Sequence, residues 1–313
     1  MKTIYRILLA PIILLVSIVF MGLFTQCDFG TDVELVEITD DAFLDALIQI
    51  GLDTDGDGEI SVPEAEATTW ININGEYLHG QPDYVGDITD LTGIEAFINL
   101  DTLICSYNRI TSLDVSGFTR LIKLDCMVNE IGSLDVSRNV LLEDLRCSRN
   151  PLTALDVSAN TKLTNLRCYD NQLSSLNVSS QNLLTYLDCS DNQLTALDVS
   201  NNTALRTLAC NDNQLTGLDV TQLPALTYMY CSGNLLGSLD VSVQINLLEL
   251  YCDGNQLSNL IVSYNKFLTY LDLSDMPSLF EVCVWATPFP PNPVLTVVTD
   301  NSPNIFFTTQ CSQ

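Results

Sequence analysis

A repeat of 21 residues runs without a slip through most of this chain of 313 residues. The units follow the pattern L-x-x-L-x-C-x-x-N-x-L-x-x-L-D-V-S. A strict period of this length indicates a solenoid, because a single unit cannot bury its apolar side chains without its neighbours. The units begin at Leu100, Leu121, Leu142, Leu163, Leu184, Leu205, Leu226, Leu247 and Leu268. In the last unit Leu273 replaces the cysteine and Met276 the asparagine, which indicates that the array is ending.

The order of residues within a unit predicts its conformation. The leucine at position 4 and the cysteine at position 6 alternate inward along a short strand, and strands of successive coils stack in parallel. The asparagine follows at the turn, where its amide can satisfy backbone groups of adjacent coils. The second half of the unit has no room for a full helix, so we expect strand or extended chain there. About nine coils, stacked at strand spacing, would extend roughly 45 Å.

An acidic loop precedes the repeats. Apolar residues at helical spacing predict a helix from Asp40 to Ile50, which Gly51 ends. The following D-T-D-G-D-G-E-I-S-V-P-E resembles the EF-hand calcium loop D-x-D-x-D-G-x₅-E. The resemblance implies Ca²⁺ as the cofactor, held by Asp53, Asp55, Asp57, the carbonyl of Glu59, Ser61 and Glu64. The alternative is a solvated acidic loop. Because the loop is single and its outgoing helix short, we expect a stabilising site rather than a sensor.

The repeats resemble the leucine-rich-repeat family, whose consensus is L-x-x-L-x-L-x-x-N/C-x-L. Within it the chain is similar to exported bacterial members, internalin-like in broad character. The resemblance implies an α/β repeat fold that is predominantly β: a leucine-rich-repeat solenoid with parallel strands, preceded by the small helical EF-hand-like module. It also implies a capped C-terminus, in which Cys283 and Cys311 form a disulfide.

The N-terminus predicts export. A short basic start and an apolar run from Ile7 to Phe24 resemble a bacterial lipoprotein signal, in which Cys27 becomes the lipidated N-terminus. The alternatives are an uncleaved transmembrane anchor and plain secretion. We expect a lipid-anchored protein of the cell envelope or outer-membrane surface, or else a secreted one.

Charge and composition exclude several classes of function. A net charge of −27 repels phosphate backbones, so we expect no nucleic-acid partner. His79 is the single histidine, which removes most His-based triads and zinc sites. Much of the acidity lies in one repeated aspartate, which either caps the turn after it or forms a surface for divalent ions. The repeated cysteine is interpreted as a small buried apolar residue rather than a metal ligand or redox relay.

Outward-facing strand residues form the candidate binding face. Arginines gather in the third and fourth units and tyrosines in the later ones, and both residue types are enriched in binding hot spots. The alternative is that tyrosine simply favours a strand surface. The candidate residues are Arg146, Arg149, Arg167, Tyr169, Tyr186, Tyr228, Tyr230, Tyr251 and Tyr270.

These observations predict a chain in several segments. They are a signal peptide (1–26), a tether (27–38), the calcium module (39–68), an N-terminal cap (69–99), the repeats (100–276) and a C-terminal cap (277–313). We expect a monomeric, non-enzymatic scaffold that binds a protein or glycan through its strand face. A purely structural, calcium-stabilised surface protein is the alternative, and a carboxylate-based hydrolase is less favoured because no carboxylate pair stands apart from the aspartate ladder.

Overall fold

The computed structural model describes residues 33–80, 86–290 and 294–311. The predicted signal peptide, Cys27 and the first residues of the tether lie outside this range. Within the described residues, no helix is long and apolar enough to cross a bilayer.

The described helices are short and precede the repeats. Asp40 caps the first of them, its carboxylate accepting a hydrogen bond from the backbone N–H of Phe43 at 3.0 Å. Ser61 and Glu64 form a capping box at the start of the second. The helices are α1 (Asp41–Gln49), α2 (Val62–Ala67), α3 (Gly75–His79) and a 3-10 turn (Ile94–Ala96).

Short parallel strands form the body of the molecule. They are β1 (Trp70–Asn72), β2 (Thr102–Ile104), β3 (Lys123–Asp125), β4 (Asp144–Arg146), β5 (Asn165–Arg167), β6 (Tyr186–Asp188), β7 (Thr207–Ala209), β8 (Tyr228–Tyr230), β9 (Glu249–Tyr251), β10 (Asn259–Ile261), β11 (Tyr270–Asp272), β12 (Glu281–Cys283), β13 (Thr296–Val298) and β14 (Phe306–Thr308). An 11-stranded sheet contains β1 to β9, then β11 and β13, while β10, β12 and β14 form a second sheet. The predicted solenoid of parallel strands is confirmed, with about 10 turns and little helix.

The strands pair in the register that the repeat predicts. Leu103 lies beside Leu124, and the residues on either side of each face outward. Leu103 and Cys105 are fully buried, whereas Thr102 and Ile104 are partly exposed. The alternation therefore leaves two outward residues per coil, and these columns form one continuous strand face.

The second half of each unit is mostly extended chain without ladder pairing. Its apolar residues nevertheless point inward, as at Ile110 and Val115, which are fully buried. Paired strands on this side begin at β10, and the isolated bridge between Asp240 and Ile261 leads into them. The core is therefore a layer of leucine, valine and cysteine between the sheet and this extended chain.

Both predicted caps contribute strands to the sheets. β1, from the predicted N-terminal cap, pairs in parallel with β2. Beyond the repeats, β12 and β14 extend the second sheet, and β13 extends the first. The described chain thus continues to coil beyond Met276, without the 21-residue repeat. Pro288 and Pro290 lie in the loop between β12 and β13, where they interrupt no strand pairing.

The repeat cysteines are buried and free, as predicted for core residues. Several direct their thiol at a carbonyl of the next coil. The Sγ atom of Cys147 lies 3.6 Å from the carbonyl oxygen of Arg167, and that of Cys231 lies 3.4 Å from the oxygen of Tyr251. Burial raises the pKa of these thiols, to about 12 for Cys147. A neutral thiol is therefore the stable form in this core.

A disulfide bond joins Cys283 to Cys311. It links β12 to the residues that follow β14. Phe289 packs nearby against both Trp285 and Phe307, with ring centroids 5.2 Å and 5.1 Å away. This aromatic cluster packs against the hydrophobic core at the C-terminal end of the solenoid.

Candidate functional site

The strand face carries two columns of side chains, at positions 3 and 5 of each unit. The strand register aligns them coil by coil, so Arg146 lies beside Arg167 and Tyr230 beside Tyr251. Side chains in one column are neighbours in space even though a whole repeat separates them in sequence. The face can therefore be described along its length from β2 to β13.

The N-terminal part of the face is a network of opposite charges. Arg146 forms salt bridges with Asp144 at 3.0 Å and with Asp125 at 3.8 Å, and Lys123 contacts Asp144 at 3.8 Å. Asp125 is buried, and desolvation raises its pKa despite its basic neighbours. The cations here are thus largely paired within the chain.

At the middle of the face an arginine stacks on a tyrosine. The guanidinium carbon of Arg167 lies 4.6 Å from the centroid of the Tyr186 ring, a cation–π distance. Asp188, on the same strand as Tyr186, is the register partner of Arg167. Burial raises the pKa of Asp188, while hydrogen bonds from the backbone and side chain of Ser190, and then the charge of Arg167, partly offset that rise.

The C-terminal part of the face is aromatic. Tyr251 stacks on Tyr270 with centroids 4.5 Å apart and planes inclined by 14°, and Tyr230 lies 5.1 Å from Tyr251. The hydroxyl of Tyr230 donates a hydrogen bond to Glu249 at 2.9 Å. Burial, and then the Glu249 carboxylate, raise the pKa of Tyr230. We name as the tyrosine patch the side chains of Tyr228, Tyr230, Tyr251 and Tyr270.

Two of the candidate residues lie beside the strand columns rather than in them. Arg149 adopts a left-handed backbone conformation at the turn after β4, with φ 56°, and contacts Asp170 at 3.7 Å. Tyr169 follows the buried Cys168 at the equivalent turn and is partly buried. The structure therefore separates Arg149 and Tyr169 from the tyrosine patch.

Sequence reasoning undervalued the carboxylates of this face. Asp125, Asp188, Glu249 and Asp272 occupy the same columns as the arginines and tyrosines. Their alternation with those residues in the two outward positions is the signal that could have identified them.

The repeated aspartates outside the strands cap turns, as one of the two interpretations predicts. Asp114 accepts a hydrogen bond from the backbone N–H of Ser116 at 2.8 Å, and Asp198 accepts one from Ser200 at 3.0 Å. The side chains of Ser116 and Ser200, followed by these backbone hydrogen bonds, lower the pKa of the two carboxyls. Each aspartate thus has a local structural role in its own coil.

The acidic loop brings three carboxylates together. Ligand oxygens of Asp53, Asp55 and Asp57 lie within 4.8 Å of one another. Asp53 also accepts hydrogen bonds from the backbone N–H groups of Gly56 at 2.7 Å and Gly58 at 3.0 Å. Both glycines have positive φ, of 79° and 88°, so the sequence meets the conformational demand of this tight loop. Converging hard oxygen donors of this kind suit a calcium ion.

Glu64 lies outside that group of three. One carboxylate oxygen accepts hydrogen bonds from the N–H and hydroxyl of Thr54, both at 2.6 Å, and the other accepts from the N–H and hydroxyl of Ser61. The Thr54 hydroxyl, followed by the Ser61 backbone, lowers the pKa of Glu64 to about 2. Glu64 therefore folds back onto the start of the loop, and binding a metal would require it to exchange hydrogen bonds for a metal contact.

Known structures resemble the chain over most of its length. The functional domain of InlJ from Listeria monocytogenes, which includes a cysteine ladder, matches with a TM-score of 0.71 and 33% identity, covering 85% of this chain. The chain spans 60% of the length of that structure. InlF, an internalin of Listeria monocytogenes, matches with a TM-score of 0.50 and 17% identity over 91% of this chain and 100% of its own. The leucine-rich effector YopM of Yersinia pestis matches with a TM-score of 0.55 and 23% identity over 70% of this chain and 59% of its own.

The last two similarities concern the fold alone, because their identities are low. No protein-family model matches the sequence, and no curated protein does either. The leucine-rich-repeat fold shared with the internalins is typically non-enzymatic. The cysteine ladder, the parallel-strand solenoid and the similarity to InlJ together show that the chain has a leucine-rich-repeat fold, structurally close to that of the Listeria internalins.

Proposed function

We propose that the chain is a non-enzymatic binding scaffold of the bacterial surface that holds a protein partner on its strand face. Internalin-like leucine-rich-repeat proteins are protein-binding surface proteins, which supports this class of function. The tyrosine patch is the observation that carries the proposal. Stacked, partly exposed tyrosines offer a large contact area at low entropic cost, as binding hot spots do.

Affinity capture with the full chain tests the proposal. The variant Tyr228→Ala/Tyr230→Ala/Tyr251→Ala is expected to lose partners that the wild type retains. A matched control removes three exposed aromatic side chains away from the patch, at Tyr264, Phe267 and Phe280. Equal capture by the wild type and the patch variant would contradict binding through this face. A glycan array with the same variants tests the alternative of a glycan ligand.

We also propose a structural calcium site in the acidic loop. Its ligands are Asp53, Asp55, Asp57, the carbonyl of Glu59, Ser61 and Glu64. The convergence of three aspartate oxygens within 4.8 Å supports it. An affinity of about 10⁻⁴–10⁻³ M is expected, as in extracellular modules.

Isothermal titration of the full chain with calcium tests this site. Asp53→Ala is expected to abolish the heat of binding, because it removes a carboxylate from the converging set. Asp45→Ala removes one negative charge from the exposed side of α1 and is the matched control. The site is refuted if the wild type takes up no calcium or if both variants bind it equally.

We further propose that Cys27 carries a lipid that anchors the protein to the membrane. The proposal rests on the sequence of the signal, since Cys27 lies outside the described residues. Labelled palmitate is expected to enter the wild type but not Cys27→Ser. A Cys283→Ser variant, which keeps Cys27, should still be labelled, and labelling of Cys27→Ser would contradict the anchor.

A further inference from the structure

The strand face is electrostatically divided along its length. Its strand cations, at Lys123, Arg146 and Arg167, all lie on β3 to β5. Beyond them, from β6 to β13, the outward strand positions of this sheet hold tyrosines, carboxylates and small neutral residues. The C-terminal part of the face therefore combines aromatic rings with negative charge.

The same tripeptide, Tyr-Leu-Asp, forms both β6 and β11. In β6 the neighbouring strand supplies Arg167, whose guanidinium lies over the Tyr186 ring and beside Asp188 in the register. A tyrosine ring thus holds a cation within the chain itself, while the carboxylate of Asp188 lies farther from the guanidinium and forms no salt bridge with it. This arrangement is an internal example of what the sheet can bind.

β11 repeats the ring and the carboxylate without the cation. The register partner of Asp272 on the preceding strand is Tyr251, where β5 has Arg167. Tyr251 stacks on Tyr270 instead. Asp272 accepts hydrogen bonds from the N–H and hydroxyl of Ser274, and among the salt bridges of the described residues none involves Asp272 or Glu249, nor Asp188. The difference between the two strands is therefore the arginine that β5 places over the ring of Tyr186. Both carboxylates are partly exposed, so an incoming positive charge could reach them.

We infer that the tyrosine patch, together with Glu249 and Asp272, binds a segment of the partner protein that carries arginine or lysine side chains. The partner supplies to these rings the cation that Arg167 supplies to the ring of Tyr186. Glu249 already accepts a hydrogen bond from Tyr230, so it lies at the edge of the rings, where a cation stacked on them would contact it. This inference rests on the proposed function and specifies the chemistry of its partner.

Fluorescence anisotropy with short labelled peptides tests the inference on the full chain. The probes are a peptide of alternating arginine and serine, its lysine counterpart and its glutamate counterpart. The arginine and lysine peptides are expected to bind and the glutamate peptide not to bind. Arginine should bind more tightly, because a planar guanidinium stacks on aromatic rings. Raising the salt from about 0.05 M to about 0.3 M should weaken binding, because it shortens the screening length.

Two variants that remove the same charge distinguish specific binding at the tyrosine patch from non-specific electrostatic attraction to an acidic protein. Glu249→Gln/Asp272→Asn is expected to weaken binding of the arginine peptide about tenfold, because it removes both carboxylates from the patch. Asp219→Asn/Asp240→Asn removes the same charge from exposed turns outside the strands and should leave binding unchanged. Tyr251→Ala/Tyr270→Ala is also expected to weaken binding.

Several outcomes would overturn the inference. Equal weakening by both charge-neutralising variants would mean non-specific attraction, and equal binding of the glutamate peptide would exclude a cation site. Binding of neutral glycans without the arginine peptide would point to a different ligand class. If the alanine variant of the patch loses a captured protein while no basic peptide binds, the proposed function stands and the inference about a basic partner fails.

Discussion

The side-chain amide of Asn129 donates a hydrogen bond to the main-chain carbonyl of Cys105, in the preceding coil, at 3.0 Å. Its Oδ1 atom accepts one from the backbone N–H of Ile110, also in the preceding coil, at 3.0 Å. One buried side chain therefore satisfies a donor and an acceptor of its neighbour. The cohesion of adjacent coils depends on these amides as well as on apolar burial.

Replacement of Asn150 by alanine is expected to destabilise the protein strongly. Its Nδ2 donates to the carbonyls of Cys126 and Cys147, and its Oδ1 accepts from the N–H of Ile131. The substitution leaves the buried Ile131 N–H without its acceptor. The two carbonyls keep one donor each, Asn129 for Cys126 and Asn171 for Cys147, so we expect a cost of about 2–3 kcal/mol in the free energy of unfolding. Urea denaturation followed by circular dichroism measures the loss.

Asn201→Ala provides the control for that substitution. Asn201 is exposed and donates to the carbonyl of Ser179 at 3.1 Å. Because water can replace that partner, we expect a change within about 0.5 kcal/mol. Similar losses for the two variants would contradict a special role for the buried amide.

A second ladder of buried amides escaped sequence reasoning. Asn160 donates to the carbonyls of Val136 and Asn139 in the preceding coil, both at 2.9 Å. Phe118 and Leu223 occupy the corresponding place in two coils, so the column is not uniform in the sequence and the sequence analysis made no prediction for it. Its recurrence at one position was the available signal. The ladder consists of Asn139, Asn160, Gln181, Asn202, Gln244 and Asn265.

The period of the repeat was enough to predict the parallel sheet and the outward columns. Once alternation places Leu103 inward, Thr102 and Ile104 must face outward. The contacts within the face were not predictable in the same way. Stacking of Arg167 on Tyr186, and of Tyr251 on Tyr270, depends on side-chain rotamers across neighbouring strands, which a periodic pattern does not determine.

The thiols of the repeat are expected to be unreactive in the native protein. They are buried, and desolvation raises the pKa of Cys147 to about 12, so the thiolate is rare near neutral pH. A thiol reagent applied at neutral pH should label the repeat cysteines only after denaturant is added. Rapid labelling before unfolding would contradict the burial of the ladder.

Asp188 and Asp198 are expected to affect the pH dependence of stability in opposite directions. Burial raises the pKa of Asp188 in the folded state. Its contribution to the free energy of unfolding is therefore full at a pH below the pKa of the unfolded state, and is lost as the pH rises through the pKa of the folded state. The Ser200 side chain and backbone lower the pKa of Asp198 in the folded state. Its contribution to the free energy of unfolding is therefore present at a pH above the pKa of the unfolded state, and is lost as the pH falls through the pKa of the folded state.

Single asparagine variants measure the two effects, because each keeps the hydrogen-bond acceptor and removes the titration. Unfolding free energies are measured in urea between about pH 2 and 6, the range in which aspartate titrates. Relative to the wild type, Asp188→Asn should gain stability as pH rises and Asp198→Asn should lose it. Slopes of the same sign would contradict the assigned pKa directions.

Loss of the bond between Cys283 and Cys311 is expected to loosen the end of the second sheet first. The bond closes a loop with a sequence separation of 28, for which removal costs about 3–4 kcal/mol. β14 pairs with β12 and is the last described strand. Its amides, including the Phe306 N–H bonded to the Phe280 carbonyl, should therefore exchange faster with deuterium once the disulfide is reduced.

Cys283→Ser/Cys311→Ser should reproduce the effect of reductant. Adding reductant to that variant should change nothing further, because the repeat cysteines are already free. Amide exchange in β14 that is equally fast with and without the disulfide would mean that the disulfide does not hold β14 in place.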